Sequence, residues 1–452
     1  MIFKRNIIFF LIIGVIISIF CNYTPSDYRV VFTFIFIILF SLFEIFSLKN
    51  VSYGTSQVFY LFSLIFLGIA PLFQYLEKVT LWGGPKFDAL DYLTTNVLLI
   101  IALITYKIIY TNVFKKKYSV SIKRLQNFQK SSKITISTYS VVFISLISTL
   151  YIFIIYGASP SALLLRSQYG ESDIVQDGGM LYLIHSFFIR PIPAICFLLY
   201  KFYHKGNKSA EILLLILMLF TNAPTGMARF AAAAFYIPLA LIYFNPLRKR
   251  FNFPLIMIVG VVVVFPILNL FRYIGKESAT SHNLVIDFSM FLAGHFDSYQ
   301  MMMRVVSEQY ITYGYQLLGV LLFFVPRSIW PSKPIGSGYL IAHEYDYVLE
   351  NLSMNYFGEG YINFGIIGVI VFSILIGYVN ARFDRKYWIE SGYKRPLFGL
   401  VFFIFVGMEF AILRGALLNI FPCFLGYLTA TIVVAKTASI KLFTIELQIG
   451  RK

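Results

Sequence analysis

Arg166, Arg190, Arg229, Arg272, Arg327, Lys333 and Arg414 stand apart from the Lys- and Arg-rich clusters that hold 25 of the 38 basic residues in this 452-residue chain. Several of them punctuate apolar runs. Guanidinium forks bind phosphate oxygens in bidentate fashion and stay ionised, so cations gathered near one membrane face suit a phosphate or diphosphate ligand. Taken singly, each reads equally well as a side chain reaching toward lipid headgroups. Arg190 is harder to explain that way. It lies about ten residues into an apolar run beside Pro191, where an unpaired charge is costly, and Glu409 on another run is a candidate partner.

Carboxylates gather in "GSGYLIAHEYDYVLENLSMNYFGEGYINFG" (336–365), which carries Glu344, Asp346, Glu350 and Glu359 together with His343. Group transfer to a hydroxyl needs a base, or a charged orienting group, close to that hydroxyl. Glu359 is the first choice and His343 the second. The setting "GEGYINFG" singles out Glu359: flanking glycines permit close approach of backbone, while Tyr361 and Asn363 offer a stacking ring and an amide. The other loop acids read as solvated surface. Just upstream, "VPRSIWPSKP" (325–334) resists helix and places Arg327, Trp330 and Lys333 at an interface between apolar and polar layers.

These residues must be positioned by membrane-spanning helices. With 58% hydrophobic, 18% aromatic and only 13% charged residues, the chain is too apolar for an ordinary water-soluble core. An all-α polytopic membrane protein is expected, as one integral domain over 1–452. Twelve runs suit spans, at 6–22, 29–47, 56–76, 92–113, 134–157, 180–201, 210–222, 229–246, 252–272, 361–380, 397–414 and 415–437. Basic residues mark the cytoplasmic side, including a loop at 114–133, so both termini are expected inside. The one long external segment, 273–360, falls between the ninth and tenth spans. Within it, 283–310 has helical periodicity suited to an amphipathic interfacial helix, and "LLGVLLFF" (317–324) is too short to span.

The net charge of +17 is a topology signal and not a nucleic-acid footprint. Cys21, Cys196 and Cys423 lie inside apolar runs and suit packing, and the five histidines lack metal-ligand spacing, so neither a metal nor a cofactor is expected.

"FFVPRSIWPSKPIGSG" followed by "NYFGEGYINFGIIG" resembles the Wzy-type O-antigen or oligosaccharide repeat-unit polymerases, and "GMARF" and "LRG" are similar to Arg-bearing motifs of that family. The resemblance implies about a dozen spans, a GT-C-like fold and a large periplasmic loop in the bacterial inner membrane. It further implies polymerisation of undecaprenyl-diphosphate-linked oligosaccharides at the periplasmic face. The arginines, with Lys333, Tyr361 and Asn363, would bind substrate, and Glu359 or His343 would activate the acceptor without a metal. The lipid bilayer is a partner, and a polysaccharide chain-length regulator a further one left open. An O-antigen ligase and a lipid-linked oligosaccharide flippase are the alternatives; the long external loop argues against the flippase.

Overall fold

The computed structural model describes residues 23–47, 51–115, 136–165, 180–203, 207–227, 229–249, 252–260, 291–390, 392 and 395–439. In chain order its main helices are α1 (Tyr28–Ser47), α2 (Thr55–Leu76), α3 (Ala89–Lys115), α4 (Thr138–Ile155) and α5 (Met180–Phe202). Shorter ones follow: α6 (Lys208–Thr221), α7 (Arg229–Tyr243), α8 (Asn252–Val259), α9 (Ser298–Ser307), α10 (Tyr315–Leu321) and α11 (Ser337–Glu344). The chain closes with α12 (Tyr356–Trp388), α13 (Pro396–Arg414) and α14 (Leu417–Ser439). No strand occurs among the described residues.

Eight of these helices, α1 to α5 and α12 to α14, are long and apolar enough to cross a membrane among the described residues. They coincide with eight of the twelve expected spans. The expected spans at 210–222 and 229–246 are the shorter helices α6 and α7, of 14 and 15 residues. The span expected at 6–22 lies outside the described residues, and only the start of 252–272 is described, as α8.

Exposed apolar side chains recur at helical spacing, as in Phe32, Phe36 and Phe43 on α1 or Phe143, Ile147, Leu150 and Ile154 on α4. Such stripes would be unstable in water and suit contact with lipid tails. α2 is enclosed instead. Its apolar window is 94% buried, against 33% for α3, α4 and α14, and it packs against α1, α8, α9, α12 and α13. Its first turn is held by Asp384 of α12, whose carboxylate accepts from the backbone N–H of Thr55 (2.9 Å) and Ser56 (3.1 Å). Tyr110 of α3 donates to the same carboxylate at 2.9 Å. A carboxylate at a helix N-terminus satisfies orphan amides and the positive end of the dipole, and here it also clamps three helices together. Lys107 of α3, a cation within an apolar run, pairs with Glu44 of α1 and lies over the rings of Phe40 and Phe43.

α12 is two arms and not one rod. Phe364 (φ −143°, ψ 20°) and Gly365 (φ 61°, ψ −143°) interrupt the helix, and the chain reverses there. Tyr356 stacks on Phe372 with ring centroids 5.1 Å apart, and a Cβ on Gly360 would come within 2.7 Å of the Gly368 carbonyl. Contacts between 356 and 372 and between 360 and 368 are those of an antiparallel helical hairpin centred on residue 364. The continuous run expected from 361 therefore begins its crossing only after Gly365, and 356–363 folds back along it. Glycines at 360 and 368 make the approach possible, because side chains at either position would collide with the opposite backbone.

Candidate functional site

Glu359 sits on the fold-back arm of α12, fully buried. Asn355 starts that arm: its Oδ1 accepts from the Gly358 N–H at 2.8 Å, and its Nδ2 donates to the Ser298 carbonyl at 2.8 Å. The arm's last carbonyls receive the loop before α10, with Thr312 N–H donating to Ile362 (2.7 Å) and Gly314 N–H to Asn363 (2.9 Å). Fixed at both ends, the arm directs Glu359 Oε1 at the first residue of α14, whose Leu417 N–H donates at 3.0 Å. The Ser337 hydroxyl, from the first turn of α11, stands beside the same carboxyl. Oε2 is buried and has no hydrogen-bond partner among the described residues. The group is thus a carboxyl at a helix N-terminus with one acceptor oxygen unspent.

Arg414 ends α13 three residues before Leu417. Its Nη2 lies 2.9 Å from Asp297 Oδ1 and its Nε donates to the His295 carbonyl at 3.0 Å. Ser353 completes the cluster, its hydroxyl donating to Asp297 Oδ1 and its N–H to Oδ2 at 3.4 Å. Asp297 precedes α9 but makes no side-chain cap there; it turns to Arg414 instead. The corner between α13 and α14 therefore gathers residues 295–298, residues 353–355 and the fold-back arm.

Arg327 and Lys333 brace the proline-rich loop from within. Arg327 donates from Nη1 to the Lys333 carbonyl (2.7 Å) and from Nη2 to the Pro334 carbonyl (3.1 Å). Lys333 Nζ donates to the carbonyls of Phe323 (2.5 Å) and Val325 (3.0 Å). Burial first, and then the nearby Arg327 charge, lower the Lys333 pKa from its ordinary value. Arg327 remains exposed with its Nε and one N–H of each terminal nitrogen unspent among the described residues. The loop lies against α14, where Phe323 meets Phe421 at 6.2 Å between centroids, so it borders the same corner.

Not every expected residue joins this cluster. His343, at the far end of α11, is 67% exposed and pairs with Glu350 at 2.9 Å. Asn363 is committed to the scaffold, accepting from Leu317 N–H (2.7 Å) and donating to the Glu359 carbonyl (2.8 Å). Tyr361 is buried on the fold-back arm. Arg190 is buried elsewhere, with Nε donating to the Thr221 carbonyl at 2.9 Å and its guanidinium 5.5 Å from the Tyr156 ring centroid. The expected pairing with Glu409 does not form. Asn380 holds Glu409 Oε1 at 2.7 Å, while Arg190 serves the carbonyls left open where the chain breaks after α6. Arg229 opens α7, but its side chain lies outside the described residues, as do Arg166 and Arg272 entirely.

Sequence reasoning missed Asp297, Ser353 and Ser337. The available signal for Asp297 was local: an Asp directly before a helical run reads as a cap. Its actual partner is 117 residues away.

A family model described as O-antigen polysaccharide polymerase Wzy matches residues 4–444, nearly the whole chain. No curated protein and no solved structure matches it.

Proposed function

Since the chain belongs to the O-antigen polysaccharide polymerase Wzy family, we propose that it polymerises oligosaccharide repeat units carried on undecaprenyl diphosphate. In this reading the protein lies in the bacterial inner membrane with about twelve spans, a GT-C-like fold and both termini cytoplasmic. The segment 273–360 forms the periplasmic loop over the site.

The anomeric C–O bond of the growing chain's lipid diphosphate breaks, a glycosidic bond forms to a hydroxyl of the incoming unit, and undecaprenyl diphosphate leaves. The acceptor proton passes to Glu359 Oε2. Because Glu359 is enclosed, the acceptor reaches it when the segment carrying Ser337 moves off the corner. Arg327, exposed and braced by its own loop, contacts the diphosphate, where preorganised cations stabilise the leaving group without a metal. His343, already ion-paired with Glu350, is the lesser candidate for the base.

The observation that carries the reading is the buried Glu359 carboxyl, with one oxygen unpartnered among the described residues, placed at the turn between α13 and α14. The test is polymerisation by the purified protein from one defined lipid-linked repeat unit, with no lipid A-core present. A ladder of products supports the polymerase. Transfer only when lipid A-core is added would assign a ligase, and movement of intact substrate across vesicles without bond formation a flippase.

A further inference from the structure

A cavity of about 420 Å³ opens on the Lys- and Arg-rich face, away from the corner described above. Tyr53, just before α2, Lys201 in α5, Arg248 after α7 and Trp388 at the end of α12 line it. Its walls are aromatic and both of its charged residues are cations.

Arg248 is fixed in place. Its Nε donates to the Leu241 carbonyl at 2.5 Å and its Nη2 to the Ile242 carbonyl at 2.9 Å, closing the end of α7. Its Nη1 has no partner among the described residues, and no carboxylate pairs with it there. Beside it the hydroxyls of Tyr53 and Tyr387 bond to each other at 2.9 Å, close enough to feel its charge. Lys201 is already balanced. Its Nζ lies 2.5 Å from Glu211 and 4.7 Å from the Tyr243 ring centroid. Among the described residues the cavity therefore presents one uncompensated, immobilised guanidinium. Directly after the lining residue Ile242, Tyr243 and Phe244 are exposed, as aromatic residues are where a protein meets the membrane–water boundary.

We propose that this cavity binds the phosphodiester headgroup of an anionic phospholipid from the adjoining leaflet. Arg248 Nη1 donates to a phosphate oxygen, the aromatic walls flank the glycerol, and Phe244 meets the acyl chains. Basic pockets between helix ends at a membrane face are suited to anionic headgroups, and an uncompensated cation prefers a lipid with net negative charge over a zwitterionic one. The inference stands independently of the polymerase reading, since none of these residues belongs to that site.

Isothermal titration calorimetry of the full chain in neutral detergent tests it, with dihexanoylphosphatidylglycerol, dihexanoylphosphatidylcholine and inorganic phosphate as separate titrants. Saturable binding of the phosphatidylglycerol is expected, weakened about 10-fold or more by Arg248→Ala. Arg248→Lys, which keeps the charge but loses the fork, should fall between and guards against a misfolded alanine variant. Equal binding of the two lipids, or unchanged binding in both variants, would overturn the proposal. Inorganic phosphate binding as tightly as the phosphatidylglycerol would overturn the lipid as its source and assign the cavity to a free phosphate.

Discussion

Arg414 and Asp297, 117 residues apart, form an ion pair of 2.9 Å that ties the turn between α13 and α14 to the start of α9. Asp297 is 4% exposed and Arg414 18%, so removing either partner strands the other charge in a poorly solvated place. Arg414→Ala or Asp297→Ala should each destabilise the protein by about 3 kcal/mol, near the lower end for broken buried pairs. The double variant should lose clearly less than the sum, as coupled residues do. Thermal unfolding in detergent measures both, and strict additivity would mean that the pair contributes nothing as a pair.

Glu359→Gln preserves an acceptor for the Leu417 N–H but removes the basic oxygen. If Glu359 takes the acceptor proton, this variant should form product about 10²-fold or more slowly while melting close to the parent. Initial rates with one defined lipid-linked unit decide it. Near-parental rates would reduce the residue to a structural bridge.

Arg327 keeps unspent donors at the surface, so its loss should act on substrate binding and not on folding. Arg327→Ala should raise KM for the lipid-linked donor about 10-fold with little change in melting temperature, and Arg327→Lys should recover part of that loss. Unchanged kinetics in both variants would remove Arg327 from the diphosphate site.

The hairpin of α12 depends on Gly365, whose φ of 61° and ψ of −143° side chains resist. Gly365→Ala should cost about 1–3 kcal/mol and lower membrane abundance. Gly368→Ala should do comparable harm for another reason, because its methyl would overlap the Gly360 carbonyl. Quantifying folded protein by size-exclusion chromatography separates tolerated from disrupted variants.

The His343–Glu350 pair should respond to pH at both ends. A hydrogen bond to Glu350 and that carboxylate's charge raise the His343 pKa, while the hydrogen bond with His343, then that with Tyr339, lowers that of Glu350. The pair's contribution is therefore present between the two values. It fades as pH rises through the raised imidazole value or falls through the lowered carboxylate value. Both groups are well exposed, so the effect is local. Protection from hydrogen exchange across 337–350, taken relative to the intrinsic base-catalysed rate, should fall on the alkaline side, and His343→Gln should abolish that step.

The spans were legible because length and apolarity alone require them, and α1, α3 and α13 fall close to where their runs predict. The α12 reversal was not. The pattern predicts a loop to 360 and a single span over 361–380, whereas the turn falls at 364–365 and rests on the backbone angles of two residues. Glu359 stood out through its glycine-rich setting, yet its partner Leu417 is a backbone amide that no side-chain pattern marks. Arg190 and Glu409 were a reasonable pair by charge, but each found a neutral partner nearer by, a carbonyl for one and an amide for the other.

The bond from Leu417 to Glu359 also sets an order of assembly. The carboxyl leaves the ribosome 58 residues ahead of its backbone partner, with the second arm of the hairpin and all of α13 still to be made. Until the final helix is made, Glu359 lacks the Leu417 amide, although its arm can already meet Met302 and Phe59. A nascent protein stopped before α14 would carry Asp297, Ser337, Ser353 and Glu359 without the amide that holds Glu359 in place.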